Sequence, residues 1–178
     1  MKYFIGVVPP EPIYQAVLQI QQPFGDNRLE PHITVRPPVA LADEEAWVTE
    51  IEKMAGHFAP FSLSLTGTGH FGKGVLYIDV QSVPLEALQQ QLVRVIKPYE
   101  KEGPREDTRP FKPHLTLGRA WCGFTPKDFK AMKELAEEYL AKEPVSFNVE
   151  FARIYNKAGH EKRYRTFKDV AFNNLGQL

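Results

Sequence analysis

Two segments of nearly the same wording constrain this chain most: Pro31-His32-Ile33-Thr34-Val35-Arg36 and Pro113-His114-Leu115-Thr116-Leu117-Gly118. Their histidines lie 82 residues apart (114 − 32). Each segment opens on proline and then alternates polar with apolar residues. Alternation of period two marks a half-buried β-strand, because successive side chains leave a strand on opposite faces. Ile33 and Val35 suit a core, as do Leu115 and Leu117. His and Thr project together from the other face, about 6.6 Å apart along the strand.

The elements around the two segments repeat as well. Strand-like runs cover 2–8, 32–36, 61–69, 75–80, 114–119, 145–155 and 164–172. Four stripes at spacings of three and four predict helices between them. They are Ile13/Val17/Ile20, Trp47/Ile51/Met54/Phe58, Leu85/Leu88/Leu92/Val95/Tyr99 and Phe129/Met132/Ala136/Tyr139. Asp43 before two glutamates, and Thr125-Pro126-Lys127-Asp128, supply helix starts. Phe61 opens a strand 29 residues past His32 (61 − 32), and Val145 opens one 31 past His114 (145 − 114). The chain therefore reads as an α/β (α+β) fold built from two copies of one strand-helix-strand-helix-strand unit, about 1–72 and 73–178, in a single domain. The copies pack with approximate two-fold symmetry, forming mixed, largely antiparallel sheets with helices outside. No low-complexity tract divides the chain, and the polar stretch 100–109 (EKEGPREDTR) is the expected mobile connection.

Composition narrows the function. Lys plus Arg equals Asp plus Glu at 22 each, which argues against coating long nucleic acid by bulk charge but leaves room for a local phosphate site. A single cysteine, Cys122, excludes an internal disulfide framework and a cysteine-rich zinc site. No apolar run reaches the roughly 18 residues of a membrane span, and the first residues are too short an apolar stretch for a signal peptide. A cytoplasmic monomer without membrane contact is the expectation.

If the two units pack about a pseudo-dyad, their polar faces line one groove and present two imidazoles and two hydroxyls. That set fits phosphoester chemistry. A neutral His takes a proton from a nucleophile, a charged one gives a proton to a leaving oxygen, and hydroxyls steady the phosphoryl oxygens. No metal or other cofactor is demanded, since the spacing is His-x-Thr rather than His-x-His and no acid or cysteine cluster sits beside either His.

These paired motifs, in a chain of this length, resemble the two-histidine (2H) phosphoesterases, and within them the bacterial 2′-5′ RNA ligase-like and cyclic phosphodiesterase branch. The resemblance covers nearly the whole chain. It implies a bilobal fold with a central cleft. It implies hydrolysis of 2′,3′-cyclic phosphate, or of a related 2′-5′ diester, on RNA ends or small nucleotides. His32 and His114 would be the acid/base pair, with Thr34 and Thr116 holding the phosphate. Relatives often carry an aromatic at the position of Phe71, which makes it a candidate for stacking on a base. The rival readings are a non-catalytic nucleotide- or RNA-binding module using the same cleft, and a 2′-5′ RNA ligase.

Further candidates follow from strand parity. Arg36, two past Thr34, is expected on the same face, as a phosphate or ribose contact or as a solvated strand end. Arg119, one past Gly118, is expected on the opposite face unless the strand bends. Lys112 shares the face of His114 if that strand starts early. The hairpin region 153–168 sets six basic side chains against Glu161 and interleaves Tyr155, Tyr164 and Phe167. It reads either as an RNA-backbone wall, with Tyr155 a candidate substrate contact, or as a charged edge that resists strand pairing. His57 at a helix end, His70, His160 and Cys122 read as structural or exposed.

Overall fold

The alternating runs become strands and the stripes become helices. The computed structural model describes residues 1–25, 29–101 and 110–173. In chain order these form β1 (Lys2–Val7), α1 (Glu11–Gln21), β2 (Ile33–Val39), α2 (Glu44–Gly56), β3 (Phe61–Phe71), β4 (Val75–Gln81), α3 (Val83–Ile96), β5 (His114–Arg119), α4 (Pro126–Lys142), β6 (Val145–Val149), β7 (Phe151–Lys157) and β8 (Arg165–Ala171). Most of the expected mobile connection, 102–109, lies outside the described residues.

Local chemistry fixes the helix ends. The Thr125 hydroxyl accepts from the Asp128 amide while the Asp128 carboxylate accepts from the Thr125 amide, a reciprocal capping box at α4. Asp43 caps α2 through the Ala46 amide, in a left-handed backbone conformation that Asp tolerates better than most residues. Prolines in the first turn start α1, α3 and α4, where a missing amide hydrogen costs nothing. The predicted stripes face inward: Ile13, Val17 and Ile20 from α1, Leu85, Leu88 and Leu92 from α3, and Phe129, Met132 and Ala136 from α4 are buried.

All eight strands join in one sheet of order β6-β3-β4-β5-β2-β1-β7-β8. Every strand pairing in it is antiparallel. The two motif strands, β5 and β2, are the innermost pair, each flanked outward by three strands. They touch at one register pair, Ile33 with Leu115, so the sheet consists of two four-stranded halves that part along this seam. The β3–β4 hairpin turn, near residue 72, binds β3 to the β4–β5 half, while β7 and β8 return to lie beside β1. One half thus holds β3, β4, β5 and β6, and the other holds β1, β2, β7 and β8.

One predicted strand divides. The run 145–155 becomes β6 and β7, broken at Glu150. Val145, Phe147 and Val149 are buried, then Ala152 and Ile154. The inward parity switches at Glu150 because the chain leaves the edge beside β3 and crosses to pair with β1.

Candidate active site

Extending the antiparallel register of Ile33 and Leu115 by one residue sets His32 opposite Thr116 and Thr34 opposite His114. Ile33 and Leu115 are fully buried on the helix side, so the four motif side chains stand together on the other face. His32 and Thr116 are each 8% exposed; Thr34 and His114 are half-buried.

Both imidazoles are held in the same way. His32 Nδ1 lies 2.7 Å from the Glu30 carbonyl oxygen, and His114 Nδ1 lies 2.8 Å from the Lys112 carbonyl oxygen. A carbonyl only accepts, so in each ring Nδ1 carries the hydrogen and Nε2 keeps a lone pair. The proline before each His explains the repetition. It fixes its own φ and holds the preceding residue extended, which aims that residue's carbonyl at the ring two positions on. Gln21, buried at the end of α1, donates to the Thr116 carbonyl at 3.0 Å and ties the second motif to the first half.

Strand bulges rearrange the parity beyond each motif. On β5, Gly118 pairs with Leu76 and Thr116 with Tyr77, which leaves Leu117 as an extra residue. On β2, Arg36 pairs with Ile5 and Thr34 with Gly6, which leaves Val35 as its counterpart. Two expectations are corrected. Arg36 leaves the His/Thr face and its guanidinium is held by Glu100 at 2.6 Å. Arg119 joins that face and donates to the Thr116 hydroxyl at 3.4 Å, near the limit for such a bond. Gly118 turns instead toward α4, where a Cβ would come within 2.7 Å of the Met132 methyl and 3.1 Å of the Phe124 ring. A glycine inside a strand is the local signal of a bulge, and Gly118 carried it.

Aromatic walls back the two histidines. Phe71, 39% exposed, meets His114 edge-on at 4.8 Å, and Tyr77 lies 5.2 Å from His114. Tyr77 fits because Gly69 leaves space under its ring; a Cβ there would be 2.6 Å from the ring atoms. Lys112 donates to the Tyr77 hydroxyl at 2.7 Å and approaches Asp79 at 3.5 Å, so Phe71 and Lys112 both border the second motif. On the other side Phe4 lies 5.3 Å from His32 and stacks on Tyr155 at 4.4 Å. Tyr155 itself is fully buried and its hydroxyl donates to Glu30 at 2.7 Å. That burial removes it from contact with a ligand and makes it a support for the segment that carries His32. Glu30 also receives Arg153 at 2.9 Å and Tyr14 at 3.3 Å. Nothing in the local sequence pattern marks Glu30; its partners come from α1 and β7.

The electrostatics favour neutral imidazoles. Burial, assisted by the Arg119 charge and the proximity of His114 and opposed by the Glu30 carbonyl and charge, lowers His32 from 6.5 to about 4. Burial also lowers His114, assisted by Arg119 and Lys112. Arg119 is held below its usual value by its own desolvation. An anion placed between the rings would raise both histidines by offsetting these effects. Among the described residues no three His, Cys, Asp or Glu side chains converge as a metal site requires.

Three basic side chains of the hairpin region are paired with carboxylates. Arg153 makes a two-pronged pair with Asp169 at 2.6 and 2.7 Å, Lys168 pairs with Glu52, and Arg165 pairs with Glu161. That favours the charged-edge reading for most of its length. His57 closes α2 through the Lys53 carbonyl at 2.8 Å, and His160 is exposed in the hairpin loop.

The sequence and the fold are similar to those of known proteins. A family model described as the 2′-5′ RNA ligase superfamily matches residues 9–161. The chain is similar to a Bacillus subtilis (strain 168) protein named RNA 2′,3′-cyclic phosphodiesterase, 32% identical over 142 residues, covering 68% of this chain and 72% of that protein. A Geobacillus stearothermophilus protein of the same name is 40% identical over 86 residues, 46% of this chain. That match spans 27% of the Geobacillus protein, about a quarter of its length. Among solved structures, TT0787 of Thermus thermophilus shares the fold with a TM-score of 0.72 and 21% identity, over 98% of this chain and 100% of that one.

Proposed function

The chain belongs to the 2′-5′ RNA ligase superfamily, and on that premise we propose that it is a phosphodiesterase that hydrolyses 2′,3′-cyclic phosphates, or related 2′-5′ diesters, of RNA ends or small nucleotides. The observation that carries this reading is the pairing of two His-Thr rows on β2 and β5, with both rings tethered through Nδ1 so that both Nε2 atoms are available. The names of the Bacillus and Geobacillus relatives support the same chemistry.

In the proposed mechanism the phosphate sits between the motifs. One Nε2 removes a proton from water as its oxygen bonds to phosphorus. The other imidazole, protonated once the anion has raised its pKa, gives a proton to the departing ribose oxygen. Thr34, Thr116 and Arg119 donate to the phosphoryl oxygens as charge builds on them. Phe71 stacks on the nucleobase, and Lys112 attracts the ribose-phosphate beside it. In this reading the protein works as a cytoplasmic monomer. No helix among the described residues is long and apolar enough to cross a membrane.

The test is hydrolysis of a nucleoside 2′,3′-cyclic phosphate. Turnover should follow a bell-shaped pH curve, survive a chelator, and fall at least about a hundredfold in His32→Ala and in His114→Ala. Tight binding without turnover, unchanged in both variants, would establish a binding module instead. Activity lost to chelator and restored by a metal would discard the proton-relay mechanism.

A further inference from the structure

Each motif histidine is backed by a phenylalanine and a tyrosine in the same relation. The Phe4 and Tyr155 ring centres are 4.4 Å apart, and lie 5.3 and 5.9 Å from that of His32. The Phe71 and Tyr77 ring centres are also 4.4 Å apart, and lie 4.8 and 5.2 Å from that of His114. On both sides the tyrosine hydroxyl holds the side chain of the residue two before the histidine. Tyr155 donates to the Glu30 carboxylate at 2.7 Å, and Tyr77 accepts from the Lys112 amino group at 2.7 Å. Glu30 and Lys112 are also the residues whose backbone carbonyls hold His32 and His114 at Nδ1.

We infer that Tyr155 and Tyr77 are paired positioning residues, each pinning the tip of the side chain whose own backbone carbonyl fixes a motif imidazole. This rests on the proposed function, because it gives the tyrosines a part in the proton transfers. The following proline keeps Glu30 and Lys112 extended but leaves each a ψ range of about 40°. Pinning the side chain at its far end narrows that range and so aims the carbonyl at Nδ1. Both tyrosines are buried, so they act through the tethered ring and not on a ligand. Tyrosine suits both places because a phenolic hydroxyl donates to an anion and accepts from a cation. Burial and the Glu30 carboxylate hold the Tyr155 phenol well above its usual range, so it keeps the hydrogen it donates. The Tyr77 hydroxyl raises the Lys112 amino group, which keeps its charge.

Duplication alone does not account for the match. About the β2–β5 seam, β1 corresponds to β4 and β7 to β3. The first motif has its phenylalanine on the inner strand β1 and its tyrosine on the outer strand β7. The second has its tyrosine on the inner strand β4 and its phenylalanine on the outer strand β3. The two rings have exchanged places, yet a hydroxyl reaches the anchoring residue on both sides. The contact is the same where the positions differ.

The experiment compares the natural chain with Tyr155→Phe, Tyr77→Phe and Lys112→Met. The last breaks the second anchor while leaving the Tyr77 ring in place, and serves if Tyr77→Phe fails to fold. Nitrogen NMR of the imidazoles at neutral pH reads which nitrogen carries the hydrogen, and hydrolysis of a nucleoside 2′,3′-cyclic phosphate gives kcat and KM. Tyr155→Phe should move His32, and not His114, toward the Nε2–H form. It should lower kcat about tenfold at unchanged KM, a part of the roughly hundredfold that an ångström of misplacement costs. Tyr77→Phe should do the same through His114 alone, and Lys112→Met should shift the His114 ring likewise. A general loss of packing would not select one ring. Rings that keep Nδ1–H in all three variants overturn the anchors whatever turnover does, and so does a shifted ring with kcat unchanged. No turnover by the natural chain, with the ring-specific shifts present, sinks the hydrolase reading and keeps the anchors.

Discussion

Acidification should unfold this protein earlier than its carboxylates alone would require, and His32 is the reason. Its folded value is about 4 against the usual 6.5, chiefly because burial penalises the charged ring. The unfolded chain therefore binds a proton near pH 6.5 that the folded chain refuses until about pH 4. Stability from this group is complete above pH 6.5, declines as pH falls, and is fully lost below about 4. Each tenfold difference in proton affinity between the folded and unfolded chains is worth about 1.4 kcal/mol. The whole effect is then about 3 kcal/mol, of which about 2 is lost between roughly pH 7.5 and 5, where most carboxylates stay ionised. The measurement is urea denaturation at those two pH values, for the natural chain and for His32→Phe. Buried Trp47 reports unfolding by fluorescence. The variant should show a pH-dependent loss smaller by about 2 kcal/mol. Equal losses in both proteins would mean that the His32 ring is hydrated, and the argument that the site holds a preorganised neutral base would fail.

Three further outcomes test the surroundings. Arg119→Gln removes a positive charge that depresses both histidines, so the limbs of the pH–rate profile should move to higher pH while kcat/KM falls about a hundredfold; unmoved limbs would place Arg119 outside the site. Glu30→Ala leaves the Tyr155 hydroxyl buried without its acceptor and should cost about 2 kcal/mol in chemical denaturation, with Glu30→Gln recovering most of it. Gly118→Val overpacks against Met132 and Phe124 and should destabilise by about 1–3 kcal/mol, partly relieved by adding Met132→Ala; no loss would contradict the bulge geometry.

The parts of this protein legible in its sequence are those set by local periodicity. Alternation marked the motif strands and three-four spacing marked the helices, because burying one face is a requirement each segment meets with its own residues. The duplicated His-x-Thr wording located the centre of the sheet for the same reason. What escaped depends on partners far along the chain. A bulge is defined by the neighbouring strand's register, so Arg36 and Arg119 exchanged faces once Val35 and Leu117 were left as extra residues. Glu30 became a hub only when Tyr14, Arg153 and Tyr155 arrived from other elements. The two bulges also make the duplicated site unequal. Past the bulge, the first motif runs into Pro37, whereas the second presents Arg119 to Thr116. Glu30 and Lys112 occupy matching positions two before each His with opposite charge, the first charge raising its histidine and the second lowering its own. A symmetric frame thus carries two histidines in different fields, as a reaction needs when one ring must accept a proton while the other gives one up.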